Sequence, residues 1–551
     1  MKRIIYSLVS ACLLSFGCVG CTDLSEDVYS EITSENFKPT EKDLFSLTIS
    51  GYTPLRTIFA GNSRWFDLQE ETGNCMITAT RSTGGWDDAG RYKRHHFHDW
   101  TSEQPQFLST WDNVYEGISK CNQVMYQLES GEFPVESGAE EAIAELRAVR
   151  AIYYYILMDL FGNVPLVVDF TDTGLPETTS RKDIFAFVEK ELLECIPLLK
   201  KENGLEYYGR VTQSVAHAIL MRLYLNATVY IGQERYDDCI EQCNILMEQS
   251  YELEGYLDPF VPDNENSKEN IFIIQCDEQY ATGASQFLKF FHNLANQVYQ
   301  MTPSPWNGSF VSPQFLYSYR KGDKRKDWTW LHGEQKDPNG NVIFSYYNDV
   351  NDMYYAKSFS GYRPGKYLPR IGLSAGYLDN DWVVIRYAEV LYSKAECLLR
   401  KGGAANEEEA ARLVSTVRKR AFDNEADATI TADFLKAPSN YPWGIYVREK
   451  QGVDDNDYVE EVYNPGDPLP ATITERQTSD DIQFGGMLDE WLWEFAAEGQ
   501  NRIHLIRFGA FTTKKWFNHR PNEQMGDNIT LFAIPQKAID KNNKLKQNPG
   551  Y

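Results

Sequence analysis

Between Phe107 and Val168 apolar residues return at three- and four-residue steps. Trp111, Tyr115, Ile118, Val124, Met125 and Leu128 share one helical face. Ala142, Leu146, Val149, Ile152, Tyr153, Ile156 and Leu160 share another. Gly131 and Pro134 interrupt the period between them, so the pattern predicts two consecutive helices. Gly162 suits a left-handed cap, and Pro165 keeps the helix from resuming. A pair with large aromatics on its inner faces cannot bury them alone and requires further pairs stacked on it.

The same period recurs along the chain. Residues 28–60 read as mostly helical, with Thr40 or Ser34 as cap and Leu44, Phe45, Leu47, Tyr52 and Leu55 as the apolar face. Ser180 to Lys200 is a further helix, and Val215–Val229 with Glu234–Glu248 forms a hairpin of tetratricopeptide-like size. Val383–Arg400 and Glu407–Ala421 read as another pair, and Met487–Phe508 as a last amphipathic helix. Ile271–Gln275 is strand-like. Three stretches lack the helical period. Trp65–Gln106 combines Gly73, Gly84, Gly85 and Gly90 with many aromatics. Residues 251–380 are rich in Pro, Gly, Asn and Asp, and Thr429–Phe484 is irregular and acidic. Aromatic-rich loops between helices are sites where function concentrates.

Charge and cysteine usage narrow the function. The 551 residues carry a formal net charge of −25, which argues against nucleic acid as a partner, because phosphate binding needs a basic footprint. Of ten cysteines, three crowd the first 21 residues and the rest are scattered without a CxxC pair. Cys239 and Cys243, one helical turn apart, read as core thiols, and no disulfide framework or zinc site is expected. Lys2 and Arg3 precede a short apolar run, Ile4 to Phe16, that ends in Gly17-Cys18-Val19-Gly20-Cys21. A small residue before cysteine resembles a bacterial lipobox, with Cys21 the better acceptor and Cys18 the second choice. An ordinary cleaved signal is the alternative. A lipidated Cys21 anchors the mature chain to a membrane without spanning it.

Several segments, taken in order, resemble the SusD/RagB family of surface lipoproteins. They include Trp111-Asp-Asn-Val-Tyr115-Glu-Gly-Ile118, Leu146-Arg-Ala148 with Tyr153–Tyr155, and Leu160-Phe-Gly-Asn-Val-Pro-Leu166. Gly209–Thr212, Asp323–Arg325, Ile385–Leu391 with Ala395-Glu396, and Glu494–Gly499 with Ile506-Arg507 follow. Ala533–Pro535 and Gln547-Asn-Pro-Gly-Tyr551 close the series. The resemblance implies a mostly α fold, a tetratricopeptide-like helix-pair array with a loop-rich C-terminal half holding minor β structure. It divides the chain into a signal peptide at 1–20, a lipidated tether at 21–40, a helical scaffold at 41–250 and a C-terminal part at 251–551. It implies an outer-membrane, cell-surface location, no catalysis, no required cofactor, and a SusC-like TonB-dependent transporter as partner. The acidic run after Cys21 resembles the tether that sends lipoproteins of Bacteroidetes-type bacteria to the cell surface. The ligand it implies is oligo- or polysaccharide, with peptide as the alternative.

A neutral glycan offers apolar C–H faces and hydroxyls, which suit exposed aromatic rings flanked by Asn, Asp or Arg. Trp86 lies in Thr80-Arg-Ser-Thr-Gly-Gly-Trp-Asp-Asp88, where small neighbours leave the indole nothing local to pack on. Trp306 lies in Pro303-Ser-Pro-Trp-Asn-Gly308, a stiff loop ending in an amide. The resemblance places both in regions that carry ligand-stacking aromatics; each reads as a ligand contact or as a structural anchor. Arg81, Asp87, Asp88 and Asn307 are the polar candidates, and Trp328, Trp330, Tyr354 and Tyr355 the further aromatics. Three competing chemistries are weaker. His96 and His98, within Arg94-His-His-Phe-His98, would share a strand face as metal ligands. Asp454-Asp-Asn-Asp457 offers calcium-type oxygens without the glycine and distal glutamate of an EF-hand loop. The resemblance implies that some relatives hold a structural calcium ion. Glu494 and Glu498, one turn apart and followed by Arg502 and Arg507, suit a salt-bridged face better than paired catalytic carboxylates. The sequence carries no GxSxG, HExxH or GxGxxG motif.

Overall fold

The computed structural model describes residues 38–201, 204–374, 376–446, 473–519 and 524–551. The signal region, Cys21, most of the tether and the Asp454–Asp457 run lie outside them. Thr40 caps the first helix, α1 (Glu41–Ser50): its hydroxyl accepts from the Asp43 N–H while Asp43 accepts from the Thr40 N–H, a capping box. Helix α2 (Thr53–Ala60) follows, then α3 (Trp65–Glu70) and α4 (Arg91–Phe97). These last two fall in a stretch expected to lack helix. All six residues of α3 are buried, so no polar face marks its period.

The central pair is α5 (Pro105–Glu129) and α6 (Ala139–Phe161). Their contact is close because Gly117 has no side chain: a Cβ there would come within 2.1 Å of Tyr153 Cζ. The Tyr153 hydroxyl reaches past it to donate to the Gly51 carbonyl (2.8 Å). Gly162 ends α6 at φ 71°, and its N–H donates to the Met158 carbonyl. The chain terminus closes on this end. The Asn548 side-chain amide donates to the carbonyls of Phe161 and Phe532, and the Trp100 indole donates to the Tyr551 hydroxyl.

The stack continues through α7 (Arg181–Cys195), α8 (Gln213–Leu225), the short α9 (Ala227–Ile231) and α10 (Tyr236–Met247). Its last pair comes from the C-terminal half: α12 (Tyr387–Lys401) packs on α10, and α13 (Ala404–Arg418) packs on α12. The segment in between includes a strand, β1 (Asn270–Ile274), and the short α11 (Gln286–Phe290). Strand β1 pairs antiparallel with β2 (Trp382–Arg386), which leads directly into α12. The helix expected from Val383 thus starts four residues later. Val383, Val384 and Ile385 are buried and β-branched, a run that suits a fully covered strand.

The helix expected over Met487–Phe508 is two helices, α14 (Gly485–Glu494) and α15 (Asn501–Arg507). The break has a tertiary cause. Ala497 and Gly499 take positive φ, Trp65 packs where a Gly499 side chain would lie, and Glu70 accepts the N–H groups of Gly499 (2.7 Å) and Gln500 (3.1 Å). Glu494 and Glu498 are salt-bridged, but through tertiary partners. Arg386 bonds both, Arg420 and Arg325 meet Glu494, and Lys366 meets Glu498. Arg502 and Arg507 pair instead with Asp159 and Glu396. Cys239 and Cys243 are buried free thiols. No helix among the described residues is long and apolar enough to cross a membrane.

Candidate ligand-binding site

Two loops 220 residues apart in sequence meet at their tryptophans: the Trp86 indole N–H donates to the Trp306 carbonyl at 2.7 Å. The first loop turns at Arg81–Gly85, where the Arg81 N–H donates to the Gly85 carbonyl. It then runs through positive φ at Gly84, Trp86, Asp88, Ala89 and Gly90 into α4. A bulky residue in the left-handed region is costly, of order 1–3 kcal/mol, and persists where the surroundings over-determine it. Trp86 has φ 63° and Asn307, at the second tip, φ 57°.

The second loop is laid along the end of α11. The N–H groups of Trp306, Asn307 and Gly308 donate to the carbonyls of Leu288, Phe291 and Lys289, at 2.7–2.8 Å. Trp306 is left 38% exposed at the tip, and Trp86 is half-buried beside it. A third segment joins them. Thr80 and Ser82 exchange backbone hydrogen bonds with Met353 and Ala356, which brings up Tyr354 and Tyr355, 56% and 40% exposed. Asp352 caps that turn by accepting both tyrosine N–H groups. Tyr280, 89% exposed, sits on the loop that enters α11; no sequence pattern singled it out.

The polar candidates divide. Arg81 is buried and donates to the carbonyls of Asn307, Gly308, Ser360 and Lys357 at 2.8–3.1 Å. Asn307 is buried as well: its amide donates to the Ser358 carbonyl, and its oxygen accepts from Arg363 at 2.6 Å. Both hold loops together, so neither presents a free polar group for ligand. Burial and the neighbouring Arg363 push the Arg81 guanidinium well below its ordinary pKa, and burial brings Arg363 down to about 10. Asp87 and Asp88 are exposed, and each carries an ion pair to the start of α4, to Lys93 (2.6 Å) and Arg91 (3.1 Å) respectively. The Lys93 hydrogen bond and charge hold the Asp87 carboxyl below its usual range. The Lys93 ammonium also lies 5.3 Å from the Tyr354 ring centre.

Trp330 is fully buried, and its indole donates to the Tyr319 hydroxyl. It is a core residue, and its expected place among ligand contacts is corrected. Trp328 is half-buried against Tyr256. The histidines lie on α4 and its C-terminal end rather than on a strand: His96 bonds the Phe517 carbonyl and His98 the Thr72 carbonyl, both rings fully enclosed. Burial lowers them to about 4 and about 3. Among the described residues no group of three or more His, Cys, Asp or Glu side chains suits a metal ion.

Beneath the Trp86 indole is a buried charge cluster. Lys289 lies 2.6 Å from Glu71 and 3.0 Å from Asp67. Burial raises the Asp67 carboxyl to about 6, against the pull of Lys289. Burial likewise disfavours the Lys289 ammonium, but Asp67 and Glu71 outweigh it and hold its pKa above the ordinary value.

What this arrangement offers chemically is a set of aromatic rings on hydrogen-bonded loops, Trp306, Tyr354 and Tyr355 exposed and Trp86 half-buried, without a nucleophile–base pair or a metal cluster in the geometry just described. Comparison with known proteins places the chain. The SusD family model matches residues 264–551, and a second model, described as starch-binding associating with outer membrane, matches residues 65–225. The chain is 24% identical over 463 residues to the starch-binding protein SusD of Bacteroides thetaiotaomicron, covering 74% of this chain and 72% of that one. It is 22% identical over 545 residues to a SusD-like protein of Formosa agariphila, covering 92% and 90%. Among solved structures, a laminarin-binding SusD-like protein superposes with a TM-score of 0.66 at 18% identity, over 94% of this chain and 100% of that one. Surface glycan-binding protein A of Bacteroides thetaiotaomicron, solved with laminarihexaose, does so with a TM-score of 0.66 at 17% identity, over 93% and 100%. With more than half its length matched by the family model, and helices stacked as in those structures, this chain belongs to the SusD family.

Proposed function

We propose that this protein captures oligo- or polysaccharide at the cell surface, anchored to the outer membrane through lipidated Cys21, and delivers it uncleaved to a SusC-like TonB-dependent transporter. The observation that carries the reading is the meeting of Trp86 and Trp306 at the tips of two braced loops, with Trp306 open to solvent and Tyr354 and Tyr355 alongside. Rings fixed in advance give apolar contact to sugar C–H faces at low entropic cost. Asp87 and Asp88 are the exposed groups beside them that accept hydroxyl hydrogen bonds. The relatives named for starch, laminarin and glycan support carbohydrate as the ligand class.

Affinity electrophoresis of the purified chain against a panel of polysaccharides, with proteolysed peptides as a control, tests this. The wild type is expected to be retarded by at least one polysaccharide without releasing reducing sugar. Trp86→Ala and Trp306→Ala are each expected to weaken retention about tenfold, the size of one lost stacking contact. Full retention in both variants would remove the site, preference for peptides would replace the ligand class, and release of reducing sugar would make the protein an enzyme.

A further inference from the structure

We propose that Lys289 is a positioning residue for the ligand platform, its buried ammonium setting the Trp86 indole from below. The inference rests on the glycan-capture reading for its consequence, though not for its geometry. Lys289 is fully buried, and so are Asp67 and Glu71 that hold its ammonium. These carboxylates come from α3 and the residue after it, in the N-terminal half, whereas Lys289 stands on α11. The same ammonium lies 4.1 Å from the Tyr92 ring centre and 5.6 Å from that of Trp86. A cation this close to an aromatic face is attracted to it, and more strongly when water is excluded.

The backbone of the same residue holds the other tryptophan loop. The Lys289 carbonyl accepts from the N–H groups of Gly308 (2.8 Å) and Ser309 (3.1 Å). Glu71 Oε1 accepts from the Ser309 and Thr78 hydroxyls, both at 2.6 Å, which adds the loop ahead of Trp86. Gly308 leaves the space in which indole and lysine meet: a Cβ there would come within 2.9 Å of Trp86 Cζ2 and 2.5 Å of Lys289 Cγ. Trp86 at positive φ cannot owe its conformation to its own sequence. Its N–H on the Trp306 carbonyl fixes one edge, Tyr92 meets it edge-on with ring centres 5.5 Å apart, and Lys289 supports the ring from beneath.

Lys289→Met keeps the apolar stem and removes the charge. Lys289→Met combined with Asp67→Asn and Glu71→Gln removes the carboxylates too, so that no buried charge is left unpaired if the single variant fails to fold. In protein labelled with 5-fluorotryptophan, the Trp86 and Trp306 resonances are assigned by their loss in Trp86→Phe and Trp306→Phe. The Trp86 resonance is expected to shift and broaden in the lysine variants while that of Trp306 holds, because the Lys289 carbonyl is retained. Retention of the polysaccharide that the wild type holds best is expected to weaken about tenfold, with no further loss when Trp86→Ala is added, since residues acting through one group are not additive. An unmoved Trp86 resonance, or losses that multiply, would overturn the positioning role. A wild type that holds no polysaccharide would defeat the capture reading instead, and the fluorine spectrum would still decide whether Lys289 sets Trp86.

Discussion

At the scale of single residues, the proposed site depends on buried groups behind its exposed rings. Trp306 faces solvent only because Asn307 and Gly308 behind it are held by two buried arginines. Arg363 is the one that also holds the Asn307 side chain: it donates to it at 2.6 Å and to the carbonyls of Ser309 (3.0 Å) and Gly308 (3.2 Å). In Arg363→Met the Asn307 side-chain oxygen and the Ser309 carbonyl lose that donor in a buried setting, while the Gly308 carbonyl keeps Arg81. The expected outcome is a stability loss of about 1–3 kcal/mol by denaturant titration, accompanied by weaker polysaccharide retention although no ligand contact has changed. Which polar residues are braces and which are open was not legible locally. Arg81, Asn307, Asp87 and Asp88 all flank a loop tryptophan in sequence, and only the fold buries the first two and exposes the others.

At the scale of elements, long helices were legible because apolar residues recur at helical spacing over many turns, whereas α3 and α4, of six and seven residues, leave too few turns to mark the period. The α5–α6 pair is a case where the period was read and its tightest contact was not. Gly117 occupies the interior of a 25-residue helix, where glycine costs about 1 kcal/mol of helix propensity. Its place is explained by the Tyr153 ring lying where a Cβ would be. Gly117→Ala therefore gains propensity and loses packing, and the packing term is the larger. We expect a net destabilisation of about 1–3 kcal/mol with helix content by circular dichroism unchanged. If the variant is as stable as the wild type, α5 and α6 can separate without cost and the pair is looser than the contact implies.

For the whole molecule, buried carboxylates set an optimum of pH. Burial alone would raise the Glu396 carboxyl, but the guanidiniums of Arg507 and Arg400 outweigh it and bring it to about 2. Its folded pKa is thus below its ordinary 4.5, so it contributes stability above pH 4.5 that is lost as pH falls toward 2. The amount is on the order of 3 kcal/mol. Glu494 acts in the same direction, held down by Arg420, Arg386 and Arg325 against its burial. The opposite holds for groups that burial raises. Asp67 at about 6, and Glu70 and Asp489 at about 7, contribute stability at low pH that is lost as pH rises through those values. Denaturation midpoints measured from pH 2 to 8 are expected to peak near pH ~5 and to fall on both sides. A curve that is flat from pH 3 to 8 would mean these groups titrate normally in the folded chain.

The sequence by itself determined the helical scaffold, the acidic character and the two tryptophan loops, because helix period, net charge and loop composition are local quantities that survive without knowledge of neighbours. The tertiary structure alone decided three things. It put residues 86 and 306 in contact, it buried Trp330 while leaving Tyr280 open, and it broke the last helix between Glu494 and Asn501 with a carboxylate from Glu70. Each depends on a partner more than a hundred residues distant or on which face of the stack a segment lands, and neither is written in any short stretch of chain.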